Sequence, residues 1–257
     1  TLRYDGSIEA TSIAPSDFAF VLPSLRGTHS RLSMSTVFSG TSSSLRVKTF
    51  QASSSDGSLK LKADGSPSDI QGSRKWNANL QKLYITGSFA QTVCKTLGAK
   101  FPEKINAKTL FADLKGSAGG DRNDMSMRAA LHSSAGNANI MLATHHKRLL
   151  AEIDTKRFDV AEVVSGCDVG NVAARLKVEG TSTSDMALSG HVGSIEYKNK
   201  VYNNINADIV AKGTLVSGKL SVDDPRGQIA IQGRADRSPQ RPMLNMTASI
   251  RNLRPSQ

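Results

Sequence analysis

Between Ile195 and Leu253, apolar residues recur at every second position in one short run after another. Val201, Ile205, Ala207, Ile209 and Ala211 share parity, as do Leu220 with Val222, Ile229 with Ile231, and Leu244 with Met246, Ala248 and Ile250. Side chains alternate sides along a strand but recur every ~3.6 residues along a helix, so a period of two restricts this stretch to half-buried strands. Turn residues separate the runs. Lys198-Asn199-Lys200 reverses the chain, Gly213 and Gly218 punctuate it, and Asp223-Asp224-Pro225-Arg226-Gly227 carries Pro and Gly where a tight turn uses them.

The rest of the chain has the same pattern. Alternation marks strands at Ile8–Ile13, at Leu32, Met34 and Thr36, and at Leu45, Val47 and Thr49. It continues at Leu59, Leu61 and Ala63, where Asp64-Gly65 reads as a hairpin turn, and at Trp76, Ala78 and Leu80. Met125, Met127, Ala129 and Leu131, then Ala138, Ile140 and Leu142, then Leu149, Ala151 and Ile153, extend it, followed by Leu176 and Val178. Three pieces depart from the period of two: residues 17–22, 88–98 and 158–166 have helical spacing, and Ser88 and Gly98 are placed to cap the second. Their leading phenylalanines, Phe18, Phe89 and Phe158, lie 71 and 69 residues apart. That recurrence predicts one continuous array, residues 1–257, with approximate repeat units 1–87, 88–157 and 158–257.

With 38% hydrophobic and 5% aromatic residues, the chain is poor in material for a thick core but rich enough in Leu, Ile and Val to fold. Its net charge of +11 is spread along its length without a basic, aromatic-interleaved patch, so no nucleic-acid partner is expected. No run of eighteen apolar residues is present, and no signal peptide opens the chain; Thr1 to Gly6 reads as mid-strand. A segment of a larger protein is therefore expected. Cys94 and Cys167 match no metal spacing; they read either as a pair in an oxidising compartment or, preferably, as two small buried hydrophobes.

Catalytic patterns are absent. There is no phosphate-binding glycine loop, no His-Glu-x-x-His and no nucleophile elbow, so neither an enzyme nor a cofactor is expected. His145-His146 is a lone histidine pair on consecutive strand positions, which point to opposite sides, and no metal site is expected. Asp121, Asp124, Asp223 and Asp224 read as turn formers.

The succession SIAPSDFAFVLP, SLKLKADG, LLAEIDTKRFDVAEVV, GSIEYKNKVYNNINADI and KLSVDDPRGQIAIQG resembles the bacterial AsmA-like family, within it the TamB-type translocation and assembly module proteins. The similarity runs over nearly the whole chain, with Phe158-Asp159 and the strand–Asp-Pro–strand unit at Asp224-Pro225 as its best-matching parts. It implies an all-β fold: a long, curved, mainly antiparallel sheet rolled into an elongated groove with an apolar concave face and few short helices. It also implies a periplasmic protein anchored to the inner membrane through a region absent from this chain. Its partners would be the acyl chains of phospholipid and an outer-membrane β-barrel assembly protein.

Elementary geometry permits such a trough. Some 16 to 18 strands of ~5 residues, spaced about 4.8 Å apart, make a sheet roughly 80 Å along its ladder, and so long an open sheet must coil. Each lipid methylene entering an apolar trough gains about 0.8 kcal/mol. The residues expected to line it are Leu32, Met34, Leu45, Val47, Leu59, Leu61, Met125, Met127, Leu176, Val178, Ile195, Tyr197, Ile205, Ile209, Leu220, Val222, Ile229 and Ile231. The alternative is a structural or adhesive cell-surface β-array with a closed sandwich core and glycans as a ligand class. One Trp and four Tyr are few for sugar-stacking platforms.

Overall fold

The computed structural model describes residues 2–14, 16, 30–68, 74–96, 98–182, 184–238, 242–252 and 254. The helical piece expected at residues 17–22 lies outside them. The fold is all-β, with fifteen antiparallel strands in chain order in one unclosed sheet and two short helices among the described residues. Expectation and observation differ in strand length. The strands run from nine to fourteen residues, because several alternating runs that look separate in sequence are joined through small or polar residues into one strand.

The chain divides into two compact units, residues 1–135 with 162–166, and residues 136–161 with 167–257. The first holds β1 (Arg3–Ile13), β2 (Leu32–Thr41), β3 (Ser44–Ser54), β4 (Leu59–Ser68), β5 (Lys75–Thr86), α1 (Gly87–Thr96), β6 (Phe111–Gly120) and β7 (Met125–Ser133). Each strand pairs with the next in sequence. Asp64-Gly65, expected as a hairpin turn, lies inside β4. The ladder to β5 runs straight through it, and a Cβ on Gly65 would sit 2.6 Å from the Asn77 carbonyl oxygen, so this glycine serves close backbone approach. The reversal before β4 is made at Asp56-Gly57, where Gly57 takes φ +75° and the Asp56 carboxylate accepts from the Ser58 N–H at 3.0 Å.

Helix α1 occupies the expected segment with a different cap. Thr86 Oγ1 accepts from the Phe89 N–H at 3.3 Å, which makes Thr86 the N-cap in place of Ser88. At the other end Gly98 takes φ +70°, its N–H bonds Lys95 O, and the Ala99 N–H bonds Cys94 O, the paired closure of a Schellman motif. Residues 104–106 then meet 163–165 through the Ile105–Val164 bridge and two flanking backbone bonds.

The second unit holds β8 (Gly136–His145), β9 (Arg148–Asp159), β10 (Val169–Ser182), β11 (Asp185–Tyr197), β12 (Lys200–Lys212), β13 (Leu215–Asp224), β14 (Gly227–Asp236) and β15 (Met243–Arg251), again paired in succession. Helix α2 (Val160–Val163) is a single turn where a longer helix was expected. The hairpins at His146-Lys147 (φ 46° and 67°) and Lys198-Asn199 (φ 48° and 62°) have both central residues left-handed, the type I′ geometry that suits the strand twist.

Neither unit has a conventional core. Among the described residues the buried apolar ones are alanines alone (Ala107, Ala129, Ala135, Ala138, Ala174 and Ala211), and no large side chain is fully buried. A closed sandwich would bury Leu, Ile and Val between two sheets. Here they stay part-exposed on one sheet, as Ile153 at 45% shows. Cys94 and Cys167 are free, half-buried thiols.

Candidate functional site: the apolar side of the strands

Directly opposed residues of antiparallel neighbours project to the same side of a sheet. Following those oppositions from strand to strand resolves the side chains into rows. In the first unit one row reads Ala10, Met34, Ala52, Leu61, Leu83, Leu114 and Leu131. The next reads Ile8, Thr36, Phe50, Ala63, Leu80, Gly116 and Ala129, and a third Gly6, Phe38, Val47, Gly65, Ala78, Ala118 and Met127. Leu45 opposite Gly40, Met125 opposite Gly120, Leu32 opposite Ile13 and Leu59 opposite Ile85 extend this side at its margins.

Two extra residues hold the rows together. Lys48 in β3 and Gln81 in β5 have no opposed partner at the register shifts of their pairs, and the parity of the apolar residues switches across each. Phe50 and Val47, and likewise Leu83 and Leu80, therefore fall on one side despite their odd spacing.

The second unit is more regular. Its rows read Ile140, Ile153, Leu176, Gly190, Ala207, Leu220, Ile231 and Ala248; Leu142, Ala151, Val178, Leu188, Ile209, Gly218, Gly233 and Met246; and Thr155, Ala174, Val192, Ile205, Val222, Ile229 and Ile250. Thr144, Leu149, Gly180, Met186, Ala211, Val216, Ala235 and Leu244 complete them. A shorter row, Phe158, Val172, Ile195 and Tyr202, follows a register shift at Gly193. The expected residues Leu176, Val178, Ile205, Ile209, Leu220, Val222, Ile229 and Ile231 thus stand on adjoining rows, and Ile195 joins through the shift. Tyr197 lies apart, opposite Val169 and 43% exposed. Leu83, Leu114, Leu131, Ile140, Ile153, Leu188, Val192 and Ile250 belong to the same rows and were not among the expected residues, although several sit in runs with the same alternation.

The other side is mixed, with polar and charged residues predominating beside Met141, Ala143, Leu150, Ala187, Val210 and Ala230. In the second unit it carries Asn139, Asp154, Arg175, His191, Asn206 and Ser221 in one row, and Glu152, Lys177, Ser189, Asp208, Lys219, Gln232 and Thr247 in the next. Neighbours along it pair: Arg175 with Asp154 at 2.6 Å, His191 with Asn206 at 2.9 Å, and Arg148 with Glu179 at 2.8 Å. A cleft of about 710 Å³ lies over β12 to β15, lined mainly by polar-side residues such as Asn206, Asp208, Lys219, Gln232 and Arg251, with no aromatic ring in its lining.

One charged cluster closes the end of the apolar rows. Asp224 is buried at the end of β13. Its carboxylate accepts from Arg226 Nε at 2.7 Å, the Arg226 N–H at 3.0 Å, and the Asn203 N–H and side-chain amide at 3.0 and 3.1 Å. The Arg226 guanidinium, followed by the N–H donors, holds this carboxyl far below the usual range, and the pairing raises Arg226 in turn. The same guanidinium reaches Val201 O and lies 4.8 Å from the Tyr202 ring, so one side chain ties β12, β13 and β14. Asp56 is likewise held low, chiefly by the Ser30 hydroxyl and then those of Ser54 and Ser58. Both are satisfied turn carboxylates.

The histidine pair departs from expectation. His146 Nδ1 and His145 Nε2 lie 2.8 Å apart, because His146 is the first left-handed residue of its turn and does not continue the strand. No helix among the described residues is long and apolar enough to cross a membrane. Compared with known proteins, the chain matches no family model, no curated protein and no solved structure.

Proposed function

We propose that this chain is a segment of a periplasmic envelope-biogenesis protein whose apolar rows form a groove for phospholipid acyl chains, without chemistry on the lipid. The observation that carries the reading is the pairing of continuous apolar rows with the absence, among the described residues, of a second layer within either unit. Sidedness in exposure supports it. Ala129 is 9% exposed on the apolar side and its neighbour Ala130 is exposed on the other; Ala211 is 7% exposed on the apolar side while Ala230 on the polar side is exposed. This difference is what a curl toward the apolar side would give, and such a curl is part of the proposal. Sheets also twist, which leaves room for a local hollow on the polar side.

Size is adequate. Eight strands at about 4.8 Å give rows of roughly 34 Å in the second unit, whereas one leaflet's acyl chain spans about 15 Å of a ~30 Å hydrocarbon core. Each buried methylene contributes about 0.8 kcal/mol, so binding needs no polar recognition of the headgroup. The likeness to the AsmA-like family extends the reading: a TamB-type protein anchored at the inner membrane, passing lipid toward the outer membrane or assisting assembly there with a β-barrel partner.

The test is native mass spectrometry and lipid extraction of the chain purified from a diderm bacterial host. Phospholipid is expected to co-purify and to be displaced by a fluorescent fatty-acid probe. A lipid-free chain that also fails to bind the probe overturns the proposal.

A further inference from the structure

Where charged residues oppose one another across these ladders, their signs are opposite. Asp154 opposes Arg175, Glu152 opposes Lys177, Asp185 opposes Lys212 and Asp208 opposes Lys219. β4 and β5 depart from this. Lys62 opposes Lys82, the one pair of like formal charges set directly opposite each other among the described residues of either unit. Directly opposed side chains have Cβ atoms about 4.5–5.5 Å apart, and like charges there are destabilising. The pair adjoins the register shift at Gln81, and bulges of this kind re-aim side chains beside binding sites.

The two lysines share a hollow. On the side opposite the apolar rows, Glu9, Ser35, Gln51, Lys62 and Lys82 form one row, and Ser33, Ser53 and Lys60 belong to the next. A hollow of about 300 Å³ opens over them, lined by three lysines, Lys60, Lys62 and Lys82, against one carboxylate, Glu9. Lys82 reaches Asp113 at 3.8 Å. Lys60 and Lys62 have no carboxylate within ion-pair distance among the described residues. Asp64, two residues from Lys62, is engaged elsewhere: its Oδ1 accepts from the Asn79 and Gln81 side-chain amides at 3.1 and 2.8 Å. The hollow therefore carries an excess of positive charge.

We infer that this hollow is an anion site that seats a phosphate group between Lys62 and Lys82, with Lys60 beside it. Two ammonium groups that repel each other directly can both donate to one phosphate, so the opposition that costs stability becomes the means of recognition. The Ser53 hydroxyl and the Gln51 side-chain amide are further donors in the same lining. The volume is at the small end for a ligand pocket, and no described aromatic ring lines it to stack a nucleobase. The ligand class is a phosphorylated polyol, either free or as the headgroup of an anionic lipid. The site lies on the side away from the acyl rows and stands whether or not those rows carry lipid.

Two probes distinguish the sources. Calorimetric titration of the 257-residue chain with glycerol 3-phosphate at low ionic strength tests the free ligand. Co-sedimentation with vesicles of phosphatidylcholine, with and without phosphatidylglycerol, tests the headgroup. Saturable binding is expected to at least one probe, and Lys62→Gln should weaken it by about fivefold or more. Lys177→Gln removes the same charge opposite Glu152 and should leave it unchanged, which separates the site from the general pull of a +11 chain. Without anion, Lys62→Gln should melt no lower than the parent because the repulsion is relieved. With glycerol phosphate bound, the parent should gain a few degrees that the variant does not. Should Lys62→Gln fail to fold, Lys60→Gln takes its place with the same expected loss of binding. Binding to glycerol phosphate identifies a free ester, and binding confined to phosphatidylglycerol vesicles identifies a headgroup. A chain that binds neither probe, or one that loses as much binding with Lys177→Gln as with the hollow's own variant, overturns the inference.

Discussion

Val222 and Ile229 face each other across β13 and β14, two positions from a buried carboxylate, and Ile205 faces Val222 from β12. The three form the centre of a row that ends in water at Ile250. Val222→Asp and Ile229→Arg therefore separate a groove from a core. Each introduces a charge that disrupts acyl binding, since an unpaired charge beside lipid costs several kcal/mol. The ladder bonds are backbone bonds, and the charge can still reach water along the open row. The expected result is near-normal melting with loss of fatty-acid probe binding in both variants. Unfolding of both, as a sealed core would give, counts against the groove.

Asp224 makes the second unit acid-sensitive. Its folded-state pKa lies below its ordinary 3.8, so its contribution is fully present above that value and is lost as pH falls from there through the folded-state pKa. Asp224→Asn keeps the shape and removes the charge. It should destabilise the unit by about 2 kcal/mol at neutral pH and flatten the loss of stability below pH ~4. Chemical denaturation at pH 7 and pH 3 checks both.

Thr86→Ala should act locally. Loss of the N-cap costs about 1 kcal/mol, but α1 buries none of its residues fully. Amide exchange in α1 should speed up by roughly fivefold while β5 and β6 exchange as before. Faster exchange throughout the strands would show that α1 supports the whole sheet.

Lys147 is a non-glycine residue held at φ +67° on an exposed type I′ turn. The left-handed region costs an L-residue about 1 kcal/mol that glycine does not incur. Lys147→Gly should thus raise the melting temperature by a few degrees, and a fall would indicate that the lysine side chain contributes more than the backbone geometry.

The period of two was legible wherever a strand carries its apolar residues without interruption, as in Ile205 to Ala211, because that pattern is local to the strand. The register shifts were not. Nothing local marks Lys48 or Gln81 as extra residues, since a bulge is defined by the neighbouring strand. Val47 and Thr49 look like one face in sequence and are divided by the shift. Asp64-Gly65 has strong local turn chemistry that ladders on both edges of β4 override, and Gly65 is retained for its lack of a side chain. Thr86 displaced Ser88 as cap because β5 runs to the first turn of α1 and leaves no room for a loop. Among the candidate lining residues, Tyr197 shows the limit of alternation: it shares parity with Ile195 but lies beyond the end of the rows.

A sheet that leaves its large apolar side chains part-exposed has a thermal signature. Unfolding it wets less hydrocarbon that was dry before than unfolding a closed core of the same length, so the heat-capacity increment per residue should fall below the usual ~12–15 cal/mol/K. The stability curve then bends gently. The chain should keep most of its folding free energy on cooling toward 0 °C, and acyl ligand, by drying the rows, should raise that increment and sharpen the curve.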